Sequence, residues 1–409
     1  MPADGADANR PVLTPLPYHE AIRSYLKTEE AEIWQWYASN RVREEQAEAV
    51  RFELLKATYR IDRENQLSLY AAAEAAAAKL GLDVPITIYQ AQTPAGLNAS
   101  LAYVPNEAHV VLHGPVASKL SEAELQALLA HELSHLVLWR QWDGEYLVVD
   151  QILAALTHDR MAEAAHFATA RLLGLYNEIF CDRGALLAAG DPLVVVGMLV
   201  KVSTGVEDVS AASYLRQAEE IFSRGGAKAA DLTHPEAFIR ARAVKLHADG
   251  DKDANAKVAE MIEGRPALEE LDLVRQPHVA GLTRRLLNVL LRPAWMRSEL
   301  VVAHARLFFS DYVPGEGPAE DAALQGDLRT DDDPMRDYYC YVLLDFVTAD
   351  RDLEELPLAA ALSLTERLGL KDRFLDIARK ELRLRKKQLE RIDTEKDALL
   401  AKALDHKSP

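Results

Sequence analysis

The segment His131-Glu132-Leu133-Ser134-His135 sets two imidazoles four residues apart with a carboxylate beside the first. On an α-helix, positions i and i+4 differ by about 40° in azimuth and about 6 Å in rise, so both rings can reach one metal ion. Glu132 projects to the side of that pair, where it can take a proton from a metal-activated water without filling a coordination position. Zinc would need one more protein ligand and would keep its fourth position open. The known extension with a third histidine is excluded, because it requires Gly at 138 and His at 141 and the chain has Leu138 and Gln141. A later Glu is the alternative. Glu178 is the best candidate, since Asp182 follows it at i+4 on the same helical face. Glu178 would bind the metal while Asp182 accepts the second N–H of a ligand imidazole and fixes its tautomer. Cys181 lies between them but points about 60° from one and about 100° from the other on a helical wheel, which reads as a packing position.

These residues need a helix to carry them. Ser121 followed by Glu124 is a capping box that starts one, ahead of the apolar run Leu128-Leu129-Ala130. Residues from about Tyr18 to Leu80 repeat apolar positions at three-to-four spacing, with Trp34, Trp36, Tyr37, Phe52 and Tyr59 as packing aromatics of amphipathic helices. After Gly81 the texture changes. Residues 84–89 and 109–113 are short, β-branched and bounded by Pro, Gly and Asn, and read as strands, with Ser100 to Val104 as an edge between them. His109 and His113 share a strand face by the two-residue period and read as structural, since no third ligand accompanies them. From Leu120 helical periodicity returns and dominates to the end.

The 409 residues suffice for two or three domains with a large core. A formal charge of −17 argues against a general nucleic-acid binder or a polybasic membrane-surface protein. Two cysteines, Cys181 and Cys340, supply no disulfide framework and suit a reducing compartment. No stretch reaches the roughly 18–20 apolar residues of a membrane span. Leu193 to Val200 reads as a buried helix, and the N-terminus lacks a secretory signal, so a cytoplasmic location is expected. Asp311 to Glu355 holds 14 acidic residues against three arginines, with a loop-like stretch at 311–333 that reads as a linker. The basic segment Ile377 to Glu390 reads as a solvated helix face.

Taken in order, Asn98-Ala99, Glu124, the H-E-x-x-H segment, Glu178 with Asp182, and Thr233-His234-Pro235 followed by Arg240 or Arg242 resemble the gluzincin metallopeptidases that include the CAAX prenyl endopeptidases, HtpX and the Oma-type proteases. The resemblance covers about residues 80–247 and implies that family's zinc endopeptidase fold there. It also implies that His234 sits beside the active site, where it could stabilise an oxyanion or, in a latent state, bind the metal. The chain departs from the pattern at Ser134, where many members have Gly, and in lacking their transmembrane helices; a prenylated or intramembrane substrate is therefore not expected. The region from Cys340 to Leu370 resembles the helical TerB-like modules.

The expected fold is α+β: a mostly helical zincin-type peptidase domain with a small sheet, flanked by helical N-terminal and C-terminal regions. The expected divisions are a helical region at 1–79, the peptidase domain at 80–255, a connector with an acidic loop at 256–330, and an accessory domain at 331–409. The expected activity is Zn2+-dependent endopeptidase cleavage of soluble or unfolded polypeptides. His131, His135 and Glu178 would be ligands, Glu132 the general base and His234 a catalytic aid, with Asp182 behind the ligands. The substrate strand would lie along Asn98, Ala99, Ser100 and Ala102, because an extended peptide can add to a sheet edge. No nucleic acid partner and no membrane insertion are expected; the acidic C-terminal domain is a candidate surface for a protein partner. The alternative is a latent or non-catalytic protease-like module that recruits a partner through that domain.

Overall fold

The computed structural model describes residues 13–92, 96–225, 228–230, 234–264, 267–315, 322–329 and 333–405. Thr233 and the acidic residues Glu316, Glu320, Asp321, Asp331 and Asp332 lie outside them. The chain forms two compact units, Met1–Gly264 and Arg265–Pro409. Residues 1–79 and 80–255, read separately above, fall together in the first unit, and 256–330 is divided between the two.

The first unit is α+β, with one four-stranded mixed sheet in the order β1-β2-β4-β3. Strands β2 (Ile86–Ala91), β3 (Asn98–Val104) and β4 (Glu107–His113) are the expected ones, and β3 is an edge strand as expected. β2 and β4 run parallel; β3 and β4 form an antiparallel hairpin turned at Asn106, which takes φ 61°. Strand β1 (Thr58–Arg60) is a correction to the continuous helical reading of Tyr18 to Leu80. That region is four helices, Pro17–Glu29, Ala31–Tyr37, Asn40–Ala57 and Leu67–Leu80, interrupted by β1. Three residues are too few to show a two-residue period, and Tyr59 is 64% exposed, so no hydrophobic alternation marks this strand.

The helix Glu122–Arg140 runs through the centre of this unit. Its start is the expected capping box: Ser121 Oγ accepts from the Glu124 N–H at 3.3 Å, and the Ser121 N–H donates to Glu124 Oε2 at 2.8 Å. Lys201 donates to the same carboxylate, which fastens this helix end to the apolar helix Pro192–Thr204. A run of left-handed residues, Trp142, Asp143 and Gly144, terminates the helix. It is buried on nearly all sides rather than along one stripe, as a helix clasped between other elements must be. Leu128, Leu129, Leu133 and Leu136 pack with Ala73, Ala76 and Ala77 of helix Leu67–Leu80 and with Val110 and Leu112 of β4.

The 26-residue helix Ala164–Ala189 lies against it, and the approach is set by one pair of small residues. A Cβ on Gly184 would sit 1.8 Å from Ser134 Oγ. The hydroxyl also donates back to the Ala130 carbonyl at 2.6 Å. Ser134 is therefore accommodated because the facing helix supplies the glycine.

The second unit is helical, around a core that includes Leu286, Trp295, Tyr339, Phe346 and Leu362. Within the stretch read as a linker, Leu324–Arg329 is a helix. The helix expected over 377–390 is interrupted. Helices Lys371–Glu381 and Lys386–Asp405 are separated by a turn in which Arg383 takes φ 52°, a break that charge pattern does not reveal. Several acids of this unit pair with its own arginines: Arg284 with Asp311, Arg285 with Asp327, Arg373 with Asp333 and Asp337, and Arg391 with Glu355.

Candidate active site

A cleft of about 680 Å³ opens between the β3 edge and the central helix. Helix Glu122–Arg140 contributes His131, Glu132, His135 and Trp139; helix Ala164–Ala189 contributes Asn177 and Glu178; helix Ala237–Ala248 sends in Arg240, and His234 lies just before it. Met198, Leu199 and Val202 form an apolar wall.

The Glu178 carboxylate is the point where these groups meet. Its Oε2 is 3.4 Å from His131 Nε2, and its Oε1 is 3.7 Å from His135 Nε2 and 3.7 Å from His234 Nε2. Behind it, Asp182 Oδ1 lies 3.0 Å from His131 Nδ1, the geometry expected for a carboxylate that orients this ring. Arg240 holds both acids. Its Nε and Nη2 donate to Asp182 at 2.8 and 2.7 Å, and Nη1 is 3.1 Å from Glu178 Oε2. Of the two arginines left open by the sequence, Arg240 enters the site, whereas Arg242 stacks on the Phe222 ring at 4.5 Å. Two residues apart on a helix means opposite faces.

The charges are set by this packing. Burial pushes the Glu132 carboxyl up to about 7, with His131 opposing and Glu178 adding to the rise. Burial would lower His131, but Glu178 and Asp182 outweigh it and raise that imidazole to about 10. His135 is lowered to about 4 by burial, only partly offset by Glu178. Burial would raise Glu178 and Asp182, yet Arg240 and His131 hold both below the usual carboxylate range.

Cys181 departs from its expected placement. It is fully buried, as a packing residue should be, but its Sγ and one ring nitrogen each of His131 and His135 lie within 4.8 Å of one another. A helical wheel gives a direction on one helix and is blind to how closely the next helix crosses. Burial drives the thiol well above its ordinary value, with Glu178, Glu132 and Asp182 adding to the rise.

Of the expected substrate-strand residues, Asn98, Ala99 and Ser100 line the cleft, and Ser100 Oγ is hydrogen-bonded to His113 Nε2 at 2.9 Å. Ala102 packs near Leu54, Tyr89 and Val111, away from the cleft, and Leu101 lines the cleft instead. His109 is held by Tyr89 Oη at 3.0 Å and Glu107 Oε2 at 2.7 Å. Sequence reasoning missed Trp139, whose ring lies 5.7 Å from that of His135. Its i+4 spacing from His135 was the available signal.

The fold and site thus define a helical domain built around an H-E-x-x-H helix, faced by a Glu-x-x-x-Asp helix and bordered by a sheet edge. Residues 63–246 match the family model described as Peptidase family M48. The match begins ahead of the 80–247 read from motifs and takes in helix Leu67–Leu80, which shares the core of the central helix. Plastoglobule-localized metallopeptidase 48, chloroplastic, of Arabidopsis thaliana is 30% identical over 205 residues, covering 44% of this chain and 57% of the relative. Protease HtpX homolog 2 of Methanosarcina acetivorans is 27% identical over 169 residues, covering 34% and 55%. The chain therefore spans little more than half the length of these curated relatives. No solved structure matches. Among the described residues no helix is long and apolar enough to cross a membrane.

Proposed function

We propose that this protein is a zinc-dependent endopeptidase acting on extended or unfolded polypeptide segments. The observation that carries the reading is the convergence of His131 Nε2 and His135 Nε2 on the Glu178 carboxylate, at 3.4 and 3.7 Å, on the wall of a cleft beside a sheet edge. Two imidazoles and an ionised carboxylate are a zinc donor set, and the cleft leaves a side open for substrate. When bound, zinc supplies Lewis-acid polarisation of the scissile carbonyl and lowers the pKa of a water.

The rest is assigned to side chains. Glu132 accepts the proton of the attacking water and returns it to the leaving amine. Asp182 holds the His131 ring, and Arg240 keeps Asp182 and Glu178 ionised. His234, 53% exposed at the cleft, donates toward the developing oxyanion. The β3 edge from Asn98 to Ser100 aligns the substrate backbone, a mode that favours loops and unfolded chains over particular sequences.

Zinc-loaded protein is expected to cleave casein, and a chelated sample is expected to lose that cleavage and recover it on zinc addition. Cleavage indifferent to chelation would overturn the reading. A second reading, a latent module, is favoured by the 3.7 Å approach of His234 to Glu178; it predicts bound zinc with no turnover of casein.

Metal uptake also carries a proton signature. His131 is cationic at neutral pH in the metal-free protein and must be neutral to ligate, whereas His135 is already neutral. Zinc binding at pH 7 should therefore release the His131 proton and a fraction of the Glu132 proton, and the apparent affinity should rise at least roughly tenfold per pH unit between 7 and 9. Calorimetry in buffers of different ionisation enthalpy reads the release directly; no buffer dependence would refute it.

A further inference from the structure

His131 has a carboxylate to orient it, and the geometry around His135 points to a different device. The indole ring of Trp139 lies 5.7 Å from the His135 ring at an interplanar angle of 33°. Its N–H donates to Asp150 Oδ2, on helix Glu145–His158. The same indole meets Tyr103 of β3 edge-on at 5.5 Å, so it touches both a ligand imidazole and the strand beside the cleft. The other Asp150 oxygen lies 3.5 Å from Asn177 Nδ2, next to Glu178, and Asn177 Oδ1 is 3.0 Å from His19 Nε2 on the N-terminal helix Pro17–Glu29. His19 is fully buried, and its neighbour Tyr18 stacks on Tyr176 at 4.8 Å.

We propose that Asp150 is a positioning residue for the metal site: it anchors the Trp139 indole, which holds the His135 ring in its ligating orientation and ties it to the β3 edge. An indole without its acceptor can rotate about two side-chain torsions, and an imidazole on the same helix face then loses the surface it packs against. Asp150 acts through Trp139 and touches no reacting group. The role in metal binding rests on the zinc reading above; the ring positioning does not.

The test uses the full chain with Asp150→Ala, Asp150→Asn, Trp139→Phe and the Asp150→Ala/Trp139→Phe double variant. Asn keeps an oxygen acceptor for the indole; Phe keeps a ring but has no N–H. In the metal-free protein, the His135 Cε1–H resonance is expected to move in Asp150→Ala and Trp139→Phe as the ring current changes. It should stay near its wild-type position in Asp150→Asn, and the His131 resonance should stay put throughout. In a chelator competition, Asp150→Ala and Trp139→Phe should each weaken zinc binding about 10–100-fold, the range typical of lost outer-shell support. The double variant should be no worse than either single one, since both break the same link. An unmoved His135 resonance in Asp150→Ala, or losses that add in the double variant, overturns the proposal. Should Asp150→Ala fail to fold, Trp139→Phe set against Asp150→Asn still decides it. If the wild type takes up no zinc, the proposed function fails, and the metal-free resonances still decide the positioning role.

Discussion

Replacing Glu132 by Gln should leave zinc content unchanged and reduce casein cleavage by a factor of about 10²–10⁴, the contribution of a positioned general base. The substitution is isosteric and the side chain is 5% exposed, so the cleft keeps its shape. What is lost is the ability to take a proton, because an amide has no carboxylate lone pair of comparable basicity. Burial brings the Glu132 carboxyl to about 7, close to the pH at which it must alternately accept and give up a proton, so its environment fits it for this role. Glu132 is not among the three groups proposed to hold the metal, which is why metal content and turnover should separate. Equal cleavage by both proteins would remove Glu132 from the mechanism, and loss of zinc together with activity would make it a ligand or a folding residue instead.

The second large effect concerns stability. Arg240→Leu should destabilise the chelated protein by about 3–5 kcal/mol, the usual result of leaving a buried charge without its partner. Asp182 is 1% and Glu178 7% exposed, and Arg240 engages both. For a unit of this size that corresponds to a fall in melting temperature of roughly 6–20 °C. Both acids have folded pKa values below their unfolded ones, so the stabilisation is fully present above about pH 4.5 and disappears as pH falls through the depressed folded values. The gap between wild type and variant should accordingly narrow in acid. Zinc, whose charge would lie beside Glu178, should recover part of the loss. Thermal unfolding with and without chelator, at pH 7 and pH 3, checks each point; an unchanged melting temperature at pH 7 would mean that Arg240 is not what neutralises these acids.

Much of this site could be read from spacing because its parts lie on helices, where residue separation converts directly into direction. His131 with His135, and Glu178 with Asp182, are i, i+4 pairs, and the Ser121–Glu124 box marks where the first helix begins. The strands were legible from β-branched runs, except β1, which is too short to show a period. Charge texture was a weaker guide: it joined two C-terminal helices across the turn at Arg383.

The sequence by itself determined the chemical kit, namely two imidazoles, a carboxylate beside them and a later acidic pair, because helical periodicity is a property of the chain alone. Only the tertiary structure decided how separate helices meet. It selected Arg240 over Arg242 and set Cys181 within 4.8 Å of the imidazole nitrogens despite its wheel angle. It also brought Asp150 to the Trp139 indole. The physical reason is the close approach of two helices at Ser134 and Gly184: side chains from segments some fifty residues apart become neighbours there, and no local spacing encodes that distance.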